Sequence, residues 1–247
     1  YPTEQQAPVR LLIHAEFLLK SDRTAIVPVR TNQFNSWVVG EVAGALMQFV
    51  NASYSRRDPA SSLCLLLPND QAQSEDGDTP ARHLWEHIRS AAGRRLRLPD
   101  PERKQQLRLE DALLLSVTTN PVDARRILSH SGLAPRLVHQ SFDTNTEAQR
   151  ALRKLGCTEL HNSDVVNIIA EEAPSNRGNL EWVWACWRWL AAWLSDANRE
   201  DDQIERLETI EELPIVPVAT GLNTPTSLQQ AIVTWRPQDG SAERLPE

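Results

Sequence analysis

The commonest pattern along this chain is apolar residues at steps of three and four, the spacing of one face of an α-helix. The clearest example predicts a helix over 34–54, with apolar positions at Phe34, Trp37, Val38, Val42, Leu46, Phe49 and Val50. Similar spacing or capping signals predict further helices over 82–97, 123–131, 144–155, 162–170, 179–198 and 204–212. The helix over 144–155 begins with a capping-box sequence and ends at Gly156, a residue type common after helices.

Shorter stretches predict extended chain instead. The apolar run 9–19 (VRLLIHAEFLL) predicts a strand, and 26–29 predicts a short extended piece after a chain reversal. Residues 63–67 (LCLLL) are apolar at every position, which is typical of a buried strand. Two more extended pieces are predicted over 213–218 and 228–233.

These elements predict an α+β fold in which helices predominate. A small strand–helix unit spans 1–67, and an acidic stretch over 68–80 contains no apolar residue larger than alanine. Such a composition favours a linker. A mostly helical body with short, proline-marked strands then occupies 81–247.

Composition is that of a soluble globular protein, and the net charge of -7 makes nucleic acid an unlikely partner, since binding it requires a positive field. The three cysteines are odd in number and far apart, which favours a reducing compartment. No run approaches the roughly 20 apolar residues of a membrane span, and no signal peptide is visible. We therefore expect a cytoplasmic protein without a membrane partner. Because it begins at Tyr1, we also expect a piece of a longer chain.

Several kinds of nucleotide and hydrolase site are excluded by motif. The chain contains neither a phosphate-binding G-x-x-x-x-G-K-[ST] loop nor a G-x-S-x-G nucleophile turn. The closest of its nine glycines are Gly40 and Gly44, so a G-x-G dinucleotide turn cannot form anywhere in it. The chain has no complete active site of these types.

A zinc site is one hypothesis, because 83–87 reads HLWEH. In inverted zinc peptidases, two histidines four residues apart hold the metal and the glutamate acts as base. His83 and His87 have this spacing, but no third ligand is marked. The alternative is a solvated helix with two neighbouring histidines.

Five of the eight tryptophans lie within 182–193. Helical geometry places Trp182, Trp189 and Trp193 on one side with Cys186 beside them, and Trp184 and Trp187 on the other. The segment is either a core helix or an aromatic surface for a partner.

Arg23 lies four residues after the end of the apolar run 9–19, next to Ser21 and Asp22, and precedes a chain reversal. An arginine in that place can project past the edge of a sheet. Its planar, permanently charged guanidinium suits the stabilisation of charge on a phosphoryl group held by another domain.

The residues around Arg23 resemble a signature of sacsin-like proteins. There an acidic-Phe-Leu-Leu run leads to Ser-Ser-Arg-Glu, and a Trp-Asn pair then opens a helix. Here 15–23 reads AEFLLKSDR and 32–37 reads NQFNSW, with Asp22, Thr24 and Phe34 departing from the signature. The same place is similar to a segment of the ATP-dependent ninety-kilodalton heat-shock chaperones, early in the domain after their GHKL-type nucleotide-binding domain.

The resemblance extends along most of the chain. It includes LRKLG at 152–156, the valine pair at 165–166, the tryptophan-rich helix, and LPIVP at 213–217 followed by Gly221. It implies that 1–67 corresponds to the start of a chaperone-type middle domain.

The resemblance also implies a function. In those chaperones the matching arginine reaches the ATP γ-phosphate, so Arg23 becomes the candidate catalytic contact. ATP and magnesium are implied for a nucleotide-binding domain upstream, since this chain lacks the glycine-rich turn of such a pocket. The chain would then couple that ATP site to a protein partner or client. The alternative is a non-catalytic helical scaffold for protein interaction.

Overall fold

The computed structural model describes residues 7–69, 79–102, 104–176, 178–197 and 199–215. Its helices are α1 (Gln33–Ser53), α2 (Pro59–Leu63), α3 (Pro80–Arg95), α4 (Pro121–Leu128), α5 (Thr146–Leu155), α6 (Asn162–Glu172), α7 (Leu180–Ser195) and α8 (Glu200–Glu212). Its strands are β1 (Arg97–Pro99), β2 (Gln106–Arg108), β3 (Leu113–Leu115) and β4 (Thr158–Leu160). The predicted α+β class with a predominance of helix is confirmed.

The described residues form two compact units. The first contains the residues up to Ser116 together with Pro135–Leu160, and the second contains Val117–Ala134 together with the residues from His161 onward. These units differ from the predicted ranges 1–67 and 81–247, because α1 packs along α3 within the first unit. The predicted linker 68–80 lies mostly outside the described residues.

The first unit is built on helix α1. The side chain of Asn32 caps it by accepting a hydrogen bond from the backbone N–H of Asn35. Its buried face carries Val39, Ala43, Met47 and Val50, which share one hydrophobic core with Ile88 and Ala92 of α3. The predicted helix is confirmed, but its predicted apolar face is partly wrong, since the side chains of Phe34, Trp37 and Phe49 are exposed.

Two predicted strands are absent from the first unit. Residues 9–19 are extended, but they make only single bridges, Val9 to Pro68 and Leu19 to Ile26. Residues 63–67 instead finish helix α2 and continue as a 3₁₀ turn over Cys64–Leu66. A helix forms there instead of the predicted strand because Asp58 caps it and Pro59 occupies its first position, where the N–H that proline lacks would have no partner in the helix.

The observed strands form two small sheets in the first unit. β1 pairs with β2 antiparallel, with Leu98 opposite Leu107. β3 pairs with β4 in parallel, with Leu114 opposite Glu159. Helix α5 precedes β4 and ends at Gly156, as predicted, because that residue has the positive φ of 95° that suits glycine.

The second unit is a helical cluster in which α4 packs against both α6 and α7, and α7 against α8. Trp182, Cys186 and Trp189 of α7 are buried, so this side of the helix lies in the core. The predicted extended segments over 213–218 and 228–233 lie, apart from 213–215, outside the described residues. No helix among the described residues is long and apolar enough to cross a membrane.

A buried carboxylate links two helices of the second unit. Arg188 of α7 donates two hydrogen bonds to Asp123 of α4, from Nε to Oδ2 at 3.0 Å and from Nη2 to Oδ1 at 2.6 Å. The Nδ2 of Asn120 donates a third to Asp123 Oδ2 at 2.7 Å. The hydrogen bonds from Arg188 hold the pKa of Asp123 below its usual range.

We expect the change Asp123→Asn to lower the free energy of unfolding at pH 7 by about 1–3 kcal/mol, because it removes a charge-assisted pair. A depressed folded-state pKa stabilises the protein above the unfolded pKa of about 4, and this contribution is lost as the pH falls through the folded value. The difference between wild type and variant should therefore shrink below about pH 4. Urea unfolding at pH 7 and pH 3 measures it. An equal difference at both values would contradict this role.

Candidate functional site

The predicted candidate, Arg23, lies on a tight reversal of the chain between residues 18 and 27. The backbone N–H of Lys20 donates to the carbonyl of Ala25, and that of Val27 donates to the carbonyl of Leu18, both at 2.9 Å. Leu19 and Ile26 face each other across the two arms as an antiparallel bridge. Residues 21–24 form the exposed tip of this hairpin.

Arg23 is the strained residue of the tip. Its N–H donates to the carbonyl of Lys20 at 2.8 Å and closes the turn. Its φ is 60°, in the left-handed region that residues other than glycine rarely adopt. This conformation costs on the order of 1 kcal/mol for a residue with a side chain. The arginine therefore occupies a place where glycine would be more stable.

A buried side chain, Asn35, ties this hairpin to the first turn of α1. Its Oδ1 accepts a hydrogen bond from the N–H of Leu18 at 2.8 Å. Its Nδ2 donates to the carbonyls of Leu18 at 3.0 Å and Val27 at 2.9 Å, one on each arm. Asn35 is fully buried, so these bonds are shielded from water. The base of the Arg23 hairpin is thus fixed to a long helix.

Asn35 was not among the residues that the sequence predicted to position the candidate site. Its position in the helix gave a usable signal, because it lies four residues before Val39 and so shares the face that continues into the core. A polar residue on a core face needs hydrogen-bond partners. Nothing in the pattern indicated that those partners are the backbone of residues 18 and 27.

The tip carries charges of both signs. The N–H of Thr24 donates to Asp22 Oδ1 at 3.1 Å, and this bond lowers the pKa of the Asp22 carboxyl. Lys20 and Arg23 are exposed cations on either side of it. Residues 20–24 therefore present two cations and one carboxylate, an arrangement that can contact an anionic group.

The described part of the chain offers no third zinc ligand to join His83 and His87. His83 is buried, and its Nδ1 lies 3.5 Å from Glu86 Oε2 within the same helix. His87 lies against α1, since a Cβ added at Gly40 would come within 3.9 Å of its Nδ1. No group of three or more His, Cys, Asp and Glu side chains suited to a metal occurs among the described residues.

The tryptophan-rich helix α7 divides between core and surface. Trp182 and Trp189 are buried, and Trp189 stacks on Trp193 with ring centroids 5.8 Å apart. The guanidinium of Arg206 lies over the Trp193 ring, 5.1 Å from its centroid. Trp184, by contrast, is 62% exposed. Trp182, Trp189 and Trp193 therefore contribute to the packing of the second unit.

Comparison with known proteins identifies no relative of this chain. No protein-family model, curated protein or solved structure matches the chain. Function is therefore inferred from the residues themselves.

Proposed function

We propose that this chain is the region of a sacsin-like, chaperone-type ATPase that follows the nucleotide-binding domain. In this proposal, Arg23 contacts the γ-phosphate of an ATP held by that upstream domain. The helices after it couple the state of the ATP site to a protein partner or client.

The conformation of Arg23 supports the proposal most directly. This exposed arginine has a left-handed backbone, and it lies on a turn whose two arms are held by Asn35. A positive φ at a residue other than glycine is unfavourable, and such residues cluster where a side chain is needed in one place. The buried Asn35 holds both arms of the hairpin, so the position of the tip is set by α1. This is the arrangement expected of an arginine that must reach a group on another domain.

The chemistry available to Arg23 is electrostatic. A guanidinium stays protonated at all physiological pH values and offers paired N–H donors that match phosphate oxygens. During phosphoryl transfer, negative charge is spread over the γ-phosphate oxygens, and a fixed cation stabilises that distribution. Nucleotide and magnesium would be bound by the upstream domain, so this chain supplies only the arginine and its rigid support. Closure of the two domains would then be sensed by the helices that follow.

The variant Arg23→Gly tests the proposal in the polypeptide that carries the nucleotide-binding domain and this chain together. Glycine accepts the positive φ, so the turn is kept while the guanidinium is removed. We expect ATP turnover to fall by about tenfold or more. Lys20→Ala is the matched control, because it removes a cation from the same tip and should leave turnover nearly unchanged. Unchanged turnover in Arg23→Gly would contradict the role of Arg23, and a coding sequence upstream without a nucleotide-binding domain would contradict the whole assignment.

The second candidate function is a non-catalytic scaffold for protein interaction. Leu180 and Trp184 lie one helical turn apart on α7 and are 61% and 62% exposed, an apolar pair of the kind that anchors protein interfaces. If the scaffold function is correct, Trp184→Ala will abolish binding of a partner while Arg23→Gly has no effect on any linked domain.

A further inference from the structure

The extended segment 10–19 alternates regularly between two environments. Its even-numbered side chains are exposed, and Leu12 and Leu18 are 98% and 47% exposed. Its odd-numbered side chains are half-buried, and Leu11, Ile13 and Phe17 pack against the core of the first unit. This is the pattern of a strand that lies with one face on a core.

The backbone bonds that join this segment and its flanking residues, 8–20, to the rest of the first unit all lie on one edge. In extended chain, the N–H and C=O of residues of the same parity point to the same edge. The cross-chain bonds use Pro8 with Asn69, Leu18 with Val27, and Lys20 with Ala25. Within the stretch 8–20, which contains the segment, the residues in these bonds are all even-numbered, so the even edge faces the protein.

The opposite edge, formed by the odd-numbered residues, bonds to no other segment in the part of the chain that the structure describes. Among the described residues, none outside the segment hydrogen bonds to the backbone of Leu11, Ile13, Ala15 or Phe17. Only short local bonds occur there, from Leu11 N–H to Val9 and from Phe17 N–H to Ala15. Exposed edges of this kind template the addition of another strand.

The sequence of the segment is complementary to itself in one register. If two copies pair antiparallel with Ala15 opposite Ala15, the exposed Leu12 of one copy lies opposite Leu18 of the second copy. His14 then lies opposite Glu16, and Ile13 opposite Phe17 on the face toward the cores. Each of these pairs occurs twice by symmetry, and apolar and acid–base pairs directly opposite each other stabilise antiparallel strands.

We infer that two copies of this chain associate through these segments, as a two-fold symmetric antiparallel pair centred on Ala15. In this register the odd-numbered residues form the hydrogen-bonded pairs, which matches the edge that is open. The exposed Leu12 and Leu18 form non-hydrogen-bonded pairs, in which side chains approach most closely and bury each other's apolar surface. An isologous contact of this type closes on itself as a dimer and leaves no further edge. The inference does not depend on the ATP proposal.

Disulfide trapping tests the register. In the full chain, Leu12→Cys combined with Leu18→Cys places two cysteines opposite each other across the interface, with Cα atoms about 4.5 Å apart, within the range for a disulfide. Mild oxidation should convert the double variant to a covalent dimer. The single variants are the controls, because two copies of either position lie six residues apart, about 20 Å. Equal cross-linking of single and double variants, or none in any, would overturn the inference.

Charge reversal tests the pairing without a covalent bond. His14→Glu places carboxylates opposite Glu16 twice, so the dissociation constant from sedimentation equilibrium should rise by about tenfold. His14→Glu with Glu16→Lys places opposite charges against each other and should restore dimerisation. Ala15→Pro removes the central N–H donor of each copy and should also yield monomer. A monomeric wild type at its highest soluble concentration, or failure of the double variant to recover while folded by circular dichroism, would refute the pairing.

Discussion

Replacement of Asn35 by alanine is expected to lower the free energy of unfolding of the chain by about 3–5 kcal/mol. Asn35 makes three hydrogen bonds to the hairpin backbone, one to the N–H of Leu18 and two to the carbonyls of Leu18 and Val27. Alanine removes all three and leaves the N–H of Leu18 without a partner. A polar group deprived of its partner in a buried place costs more than the bond itself contributed.

Two matched variants separate the parts of this effect. Asn35→Asp keeps the acceptor for the Leu18 N–H but sets a buried carboxylate against the carbonyls of Leu18 and Val27, so at pH 7 it should destabilise at least as much as Asn35→Ala. Asn32→Ala removes only the helix cap and should cost about 1 kcal/mol. Urea unfolding followed by circular dichroism measures all three. A loss below about 1 kcal/mol for Asn35→Ala would show that the hairpin is held by something else.

The same variant bears on the proposed function. If the hairpin is released from α1, the tip samples many positions, and a cation that must meet a phosphate loses its preorganisation. We therefore expect Asn35→Ala to lower ATP turnover in the longer polypeptide without any change at Arg23 itself.

The second large effect is expected at Trp182, which is buried at the contact between α7 and α4 in the second unit. Its Nε1 donates to the carbonyl of Ile127 at 3.3 Å. Trp182→Ala should lower the free energy of unfolding by about 3–5 kcal/mol, because it leaves a large cavity in a close-packed core. Thermal or urea unfolding, followed by tryptophan fluorescence, measures the loss.

Trp189 provides the control for the hydrogen bond. It is as buried as Trp182, but its Nε1 has no partner among the described residues. The change to phenylalanine removes similar volume at both positions and a hydrogen bond only at Trp182. Trp182→Phe should therefore cost about 1 kcal/mol more than Trp189→Phe. Equal losses would mean that the Trp182 bond contributes nothing.

Local signals explain why most helices were predicted from the sequence. Helix α1 begins and ends within one residue of its predicted bounds, because its spacing, and the Asn32 cap that the structure shows, involve residues a few positions apart. Gly156 ends α5 for an equally local reason. The apolar run 63–67 was predicted wrongly, since a short apolar run fits a buried helical turn as well as a strand.

The side chains around the candidate site were less accessible to prediction. The exposed place of Arg23 was indicated by the reversal that follows residue 22, but its positive φ was not. The three bonds of Asn35 join positions 8 and 17 residues apart along the chain. No periodicity in the sequence encodes those distances.

The amino-acid sequence alone determined where most helices lie and that a glycine-rich phosphate turn cannot form. These properties depend on hydrogen bonds and side-chain spacing within one or two helical turns. Tertiary structure alone decided which face of α1 is buried, that Asp123 pairs with Arg188, 65 positions further along the chain, and that the even edge of segment 10–19 is the one in use. Such choices follow from which remote segments pack together, and burial strengthens a polar contact only after that packing has excluded water.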